Sequence, residues 1–256
     1  MKRPPPTWMM WQAGSVLVAF AIVLLWQGVA GWRLVSPVFL PTPLAALDSL
    51  RDGFASGELW PLISGTVERM LLGWALASLV GVAVGALIGV SPAARAWLQP
   101  MLEFIRPIPA SSVMPIAIAI FGLSPAMVLA VVAFGSVWPV LLATVHGFSA
   151  IEPCLNEVSQ VLRLSRLGFI WKMGLPNALP DIFAGLRLSL TVSLILAVVG
   201  EMLSSQHGLG LAILLAARSY RSADLFASVA LLGAIGYLSN ALLQALERRV
   251  LAWRLA

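Results

Sequence analysis

NEVSQVLRLSRLGFIWKMGLPNALPDIFAGL, Asn156 to Leu186, is a polar and basic interruption of about thirty residues between two strongly apolar segments. Before it runs LSPAMVLAVVAFGSVWPVLLATVHGF, and after it RLSLTVSLILAVVGEML. Two apolar stretches of span length joined by such a segment read as two membrane helices with a loop in water, where a soluble partner finds something to grip.

The rest of the chain agrees with that reading. Hydrophobic residues make up 60% and charged residues 11%, and the mean hydropathy is +0.94. These values lie far from those of soluble domains and define an all-α polytopic membrane protein. The 256 residues hold about five to seven helices of about twenty residues, each satisfying its own backbone polar groups in lipid. The charge of +5 from 16 Lys+Arg and 11 Asp+Glu reads as topology signal, and no pattern supports nucleic-acid binding. Cys154 is the single cysteine, so no internal disulfide and no cysteine metal cluster forms.

Six transmembrane helices are expected. A leader, 1–12, precedes the first span, 13–32, which Trp8, Trp11, Trp26 and Trp32 anchor at the interfaces. Bulky Trp26 and Gln27 stand where a cleavable signal would place small residues, so the span is read as retained. An extracytoplasmic connection, 33–65, contains extended SPVFLPTP and a short amphipathic helix over Leu44 to Phe54. The core region, 66–246, starts with a helix from Thr66 to Val90, whose Gly73, Gly81, Gly85 and Gly89 fall at multiples of four and share a face for close helix approach. SPAARAWLQP reads as a short turn. The third span, Met101 to Phe121, carries Pro107, Pro109 and Pro115 and cannot be a straight helix. Two readings stand for it, a pore-lining broken helix or a kinked packing helix. Further spans cover Ser124 to Phe148, Ile182 to Leu203 and Leu225 to Leu246, before a basic tail, 247–256.

Six spans put both termini on one side. Lys2, Arg3, Arg95, Arg163, Arg166, Lys172, Arg248, Arg249 and Arg254 share that side, against Arg33, Arg51, Arg69, Arg218 and Arg221 opposite. The excess makes the termini cytoplasmic, and with them the loop 150–180.

Within the loop, Glu157 to Leu167 reads as a short amphipathic helix with Val158, Val161, Leu162 and Ser165 near one face. Pro176 and Pro180 punctuate before a new helix that Asp181 caps. The pattern is helix, turn, second short helix, proline stop. No nucleophile–base pair or metal set sits in it.

These residues resemble the EAA loop of binding-protein-dependent ABC importer permeases, whose pattern is Glu-Ala-Ala, three residues, Gly, nine residues, an aliphatic residue, one more, then Leu-Pro. Glu157 occupies the acidic position, Met173 the aliphatic one, and Leu175-Pro176 the end, with the spacing kept. Val158 and Ser159 stand for the alanines and Arg163 for the glycine. An arginine disfavours the left-handed turn that glycine allows there, so the loop either continues as a longer basic helix or carries local strain. The likeness extends from about Leu40 to the C-terminus. FLPTPLAALDSL, PMLEFIRPIP, LPNALPDIFAGLRLSL and GEMLSSQHGLG are similar to the nitrate, taurine and alkanesulfonate group.

The resemblance implies a type I importer transmembrane fold in a bacterial inner membrane. It also implies a homodimer of permeases, two cytoplasmic ABC ATPase subunits that receive the loop, and an extracytoplasmic solute-binding protein. The chain would be no enzyme and hold no cofactor. It has no phosphate-binding G-x-x-x-x-G-K-[ST] loop, so ATP and Mg²⁺ belong to the partner ATPase. The ATPase-docking residues would be Glu157, Val158, Ser159, Arg163, Met173, Leu175 and Pro176, and the solute small and anionic.

Dull alternatives stand beside the sharp ones. Glu157 is also a good first-turn helix acid. Glu103 and Arg106, three apart, read as a structural pair. Glu201, followed by Ser204, Ser205, Gln206 and His207, is read as a cavity or gate residue together with Pro107 and Pro109, with a solvated interfacial carboxylate as the competing reading. Arg187 either attracts an anion or snorkels to phosphates. His146 and His207 lie at opposite ends and cannot share a metal. An ion-coupled secondary transporter is the runner-up, but it wants ionisable groups at mid-membrane on several helices, and an intramembrane enzyme wants a catalytic pair that the spans lack.

Overall fold

The computed structural model describes residues 7–105, 107–150, 157, 159 and 161–254, and every described regular element is helical. Val158, Cys154 and Arg106, with the Glu103–Arg106 pairing, lie outside the described residues. Helices long and apolar enough to cross a membrane are Gly14–Gly31, Leu59–Val90, Pro125–Ser149, Ile170–Ser204 and Ser222–Val250. A bent pair, Pro92–Ile105 with Ala110–Phe121, brings the spans to six when taken as one crossing. The contacts divide the chain into two compact units, residues 1–60 with 212–231, and residues 61–211 with 232–256.

In the first unit α1 (Thr7–Gly31) is apolar along its whole length, and Val16, Leu17, Phe20 and Leu25 stand exposed as lipid-facing residues do. At its end Trp26 donates through Nε1 to the carbonyl of Pro41 at 2.9 Å and rests against the ring of Phe226. The short helix expected in the connection is α2 (Pro43–Ala55), started by Pro43 in its first turn and by Thr42, whose hydroxyl accepts from the amide of Ala45. Ser49 on α2 donates to Asp224 at 2.7 Å.

The second unit contains most of α3 (Leu59–Val90), then α4 (Pro92–Ile105), a 3₁₀ turn Ala110–Val113, α5 (Met114–Phe121), α6 (Pro125–Ser149), α7 (Arg166–Phe169) and α8 (Leu175–Ser204). It also takes the end of α9 that begins at Leu209 (Leu209–Arg218) and the greater part of α10 (Ser222–Val250). In lipid the hydrophobic effect does not press helices together, so packing depends on how closely backbones approach. The glycine face of α3 does this. A Cβ on Gly73 would stand 2.3 Å from Val132, on Gly85 2.7 Å from Thr144, and on Gly89 2.6 Å from Phe148. The α6–α8 contact uses the same device, with Gly135 against Leu196, Gly185 against the Pro139 carbonyl and Gly200 against Val128. Ser189 adds a hydrogen bond across it to the carbonyl of Ser136 at 2.7 Å. Met70, Met127, Val128, Val131, Val132 and Ala197 form the core between these helices.

Several expected boundaries move. SPAARAWLQP is not a turn but the first part of α4: Ser91 accepts from the amide of Ala94 at 3.2 Å and Pro92 takes the first helical position. The proline-rich third span is broken, as expected, with an 83° bend between α4 and α5. Gly122 ends α5 at φ 65°, ψ −167°, a conformation in effect reserved for glycine. The second span begins at Leu59 rather than Thr66, and α9 was not anticipated. The Asp181 cap and the proline stop are both overturned. α8 starts at Leu175, with Pro176 in its first turn and Pro180 inside it, so Asp181 is an interior helical residue that meets His146 at 3.6 Å.

Candidate functional site

The loop between α6 and α8 is built from its two helix ends. Glu157, Ser159 and Val161 are helical, and the chain then turns at Leu162 and Arg163. Arg163 has φ 48°, the left-handed region, and the amide of Leu164 returns to the carbonyl of Ser159 at 3.0 Å. This six-to-one bond is the Schellman closure of a helix C-terminus, with arginine where glycine is usual. The longer basic helix is therefore wrong: the turn is kept and Arg163 carries the strain. Ser165 then starts α7, its hydroxyl accepting from the amide of Gly168 at 3.1 Å, a capping role in place of the expected place on an amphipathic face.

From α7 the chain enters α8 through a π turn, Ile170–Gly174, in which the amide of Leu175 reaches Ile170. Pro176 offers no amide and its ring would strike the carbonyl four residues back, so widening the turn just before it relieves both problems. The loop is held to the end of α6: Asn177 donates to the carbonyl of Gly147 at 3.3 Å, and a Cβ on Gly147 would stand 2.9 Å from Ala178. Met173, Leu175 and Pro176 are half-buried, Leu175 against Phe148 and Ala178, whereas Glu157 and Arg163 are exposed. Val161 is 82%, Leu162 59% and Trp171 66% exposed. Val161 and Leu162 flank the turn at Arg163, and Trp171 precedes Lys172 in the π turn, so three large apolar side chains stand exposed close in sequence to two cations.

The second cluster surrounds Glu201, which is fully buried. Its Oε1 accepts from the Arg69 guanidinium at 2.8 Å. Its Oε2 accepts from the hydroxyl of Thr66 and the amide of Gly210, each at 2.9 Å. Thr66 and Arg69 are one turn apart on α3 and so present both donors on one face. Thr66 also accepts from the amide of Leu209, and Arg69 donates to the carbonyl of His207 at 3.0 Å. Ser205, at φ 54°, turns the chain back, and the amide of Gln206 returns to the carbonyl of Glu201 at 3.2 Å. At Gly208 a Cβ would stand 2.4 Å from the carboxyl group, so a side chain there would displace the carboxylate or the loop.

Glu201 is thus neither solvated at the interface nor open to a cavity; it is the centre of a clasp joining α3, α8 and the start of α9. Pro107 and Pro109 stand exposed at the bend and share no described contact with it. Thr66, Arg69 and Gly210 were missed as its partners, although Gly208 and Gly210 beside a buried-span carboxylate were a readable sign of close backbone approach. Arg187 is committed as well: it donates to Glu247 of α10, while its Nε is buried without a partner.

Together these features define a polytopic α-helical membrane protein whose glycine-packed spans are joined by a structured, partly apolar loop. A family model described as "Binding-protein-dependent transport system inner membrane component" matches residues 77–252, and the chain belongs to this family. It is 32% identical over 244 residues to the putative aliphatic sulfonates transport permease protein SsuC of Bacillus subtilis, covering 95% of this chain and 88% of that one. It is 30% identical over 244 residues to the taurine transport system permease protein TauC of Escherichia coli, covering 93% and 89%. With the nitrate import permease protein NrtB of Leptolyngbya laminosa the identity is 32% over 199 residues, covering 78% and 71%. The chain is accordingly the membrane-embedded permease component of an ABC importer, with the all-α architecture of the type I class.

Proposed function

We propose that the chain, as a homodimer, forms the translocation path of an importer for a small anionic solute, with the loop 150–180 as the docking element for two ATPase subunits and the termini in the cytoplasm. An extracytoplasmic binding protein would deliver the solute, and ATP and Mg²⁺ would be held by the ATPases. The observation that carries the docking reading is the exposure of Val161 and Leu162 at the left-handed turn at Arg163 and of Trp171 in the π turn that follows. Apolar anchors flanked by cationic groups suit a partner groove that is apolar at its floor and acidic at its rim. Exposed Glu157, in the helical segment before the turn, and half-buried Met173, Leu175 and Pro176, beside the seam with α6, fit such a surface. Sulfonate, taurine and nitrate transport by the relatives supports a small oxyanion as the solute.

The test is a mild-detergent pull-down of the tagged chain from its native membrane with the bound proteins read by mass spectrometry. An ATPase and a solute-binding protein are expected with the unaltered chain. A variant with Glu157→Lys and Pro176→Ala is expected to insert normally and to lose the ATPase; normal co-purification of that variant would sink the docking reading.

A further inference from the structure

A cleft of about 310 Å³ lies between α3, α8 and α10. Met70 and Leu194 form apolar wall, and Thr191, Tyr237, Ser239 and Asn240 supply hydroxyl and amide groups. These residues fall near the middle of the spans Ile170–Ser204 and Ser222–Val250, so polar groups are gathered where lipid is least tolerant of them. Tyr237 is 75% exposed, Thr191 and Asn240 are exposed, and no described residue hydrogen-bonds to the Tyr237 hydroxyl or the Asn240 amide.

The two flanks of α10 differ. Gly233, Tyr237, Asn240 and Gln244 succeed one another at helical spacing along one flank, and all four are exposed. Leu238, Leu242 and Leu246 follow the opposite flank and are 58%, 72% and 52% exposed. The leucine flank has the chemistry of a lipid contact. The other flank carries unpaired amide and phenol groups over a concave surface and has the chemistry of a wet passage. Gly233 and Gly236 keep that wall free of side chains, which is what leaves the cleft open.

We propose that this cleft is a station on the solute's path, where Asn240, with Tyr237, Ser239 and Thr191, offers neutral hydrogen-bond donors to a small oxyanion of sulfonate or nitrate type. The proposal rests on the import reading above. Lys and Arg are absent from the lining residues, and the nearest cation along α8, Arg187, is already held by Glu247. Neutral donors suit transit, because a site must bind strongly enough to admit an ion and weakly enough to release it. A fixed positive charge at mid-membrane would make an anion trap.

The experiment uses the full chain in proteoliposomes with its ATPase and binding protein, with Cys154→Ser as background and single Asn240→Cys, Tyr237→Cys and Leu242→Cys variants. The probe is 2-sulfonatoethyl methanethiosulfonate, a membrane-impermeant thiol reagent that is itself a small sulfonate. Labelling at 237 and 240 is expected to be about tenfold or more faster than at 242, as a wet wall differs from a lipid face. Equal labelling at all three positions overturns the proposal. Oxidative cross-linking of two copies through position 240 without labelling also overturns it, by making this flank a subunit contact. In a second arm, Asn240→Asp is expected to lower ATP-dependent uptake of taurine or nitrate about tenfold, through like-charge repulsion, while ATPase co-purification is kept; unchanged uptake by Asn240→Asp counts against the station. Failure of the ATPase to co-purify with the unaltered chain is a failure of the import reading, whereas co-purification without labelling is a failure of the cleft alone.

Discussion

The turn at Arg163 and the turn at Ser205 close their helices with the same backbone device, yet they live in opposite surroundings. In each, a residue other than glycine sits at positive φ, 48° and 54°, and the following amide returns to a carbonyl five residues back. Around Ser205 the chain is locked: Glu201 is fully buried, three donors converge on its carboxyl group, and the next residues wrap over it. Around Arg163 little is locked, and Val161 and Leu162 beside it, with Trp171 further along the loop, are exposed. Local strain of about 1 kcal/mol is similar in the two turns. What differs is what surrounds it. The clasp is backed by buried hydrogen bonds inside the chain, while the turn in the loop has exposed apolar side chains around it in sequence.

The largest test of this contrast is removal of the clasp's centre. Glu201→Ala leaves Arg69, Thr66 and the Gly210 amide without their acceptor in a buried site, and a loss of about 3–5 kcal/mol is expected. Glu201→Gln is expected to be only slightly milder, because its NH₂ must face donors whichever way the amide is placed. Thermal unfolding in detergent, followed by circular dichroism, reads both; an unchanged Tm for either variant would mean that the clasp does not hold α3 to α8.

A smaller effect is expected at Gly208. A Cβ there meets the carboxyl group at 2.4 Å, so Gly208→Ala must shift either the loop or Glu201, at about 1–3 kcal/mol. The same unfolding assay checks it. Doubling it with Glu201→Ala should give less than the sum, since the clash and the clasp share one carboxyl group.

The smallest effect has the opposite sign and separates the two turns directly. Arg163→Gly and Ser205→Gly each relieve about 1 kcal/mol of backbone strain, less the extra freedom of glycine in the unfolded chain. At Ser205 the gain is expected in the global Tm. At Arg163 it is expected as slower amide exchange at Leu164 with a nearly unchanged Tm, because an exposed turn opens without unfolding the spans. Equal global gains would show that the loop is as firmly tied into the fold as the clasp.

Much of this architecture was legible in the residues. Span-length apolar runs and the face shared by Gly73, Gly81, Gly85 and Gly89 needed no partner to be read, because length and helical period are local properties. The broken third span followed from three prolines within it. Other readings failed where a neighbour overruled a local signal. Asp181 and Pro180 looked like a helix start, but close packing of Ala178 on Gly147 carries the helix through them from Leu175. At Arg163 the residues left a longer helix and a strained turn both open, and the Ser159–Leu164 bond shows the strained turn. α9 went unseen because LGLAILLAAR is too short for a span and lies directly after a polar stretch.

By itself the sequence settled the solvent and the building material: sixty per cent apolar residues in span-length runs admit only membrane helices, and the spacing from Glu157 to Pro176 marks the loop. The tertiary structure decided the pairings. Glu201 reaches Arg69 and Thr66 across sequence separations of 132 and 135 residues. Arg187 finds Glu247 sixty residues on, and Thr191 and Asn240 line one cleft. Hydropathy and helical period act through near neighbours along the chain, whereas the burial of a carboxyl group depends on which helices stand beside it, and that is set only when the spans pack.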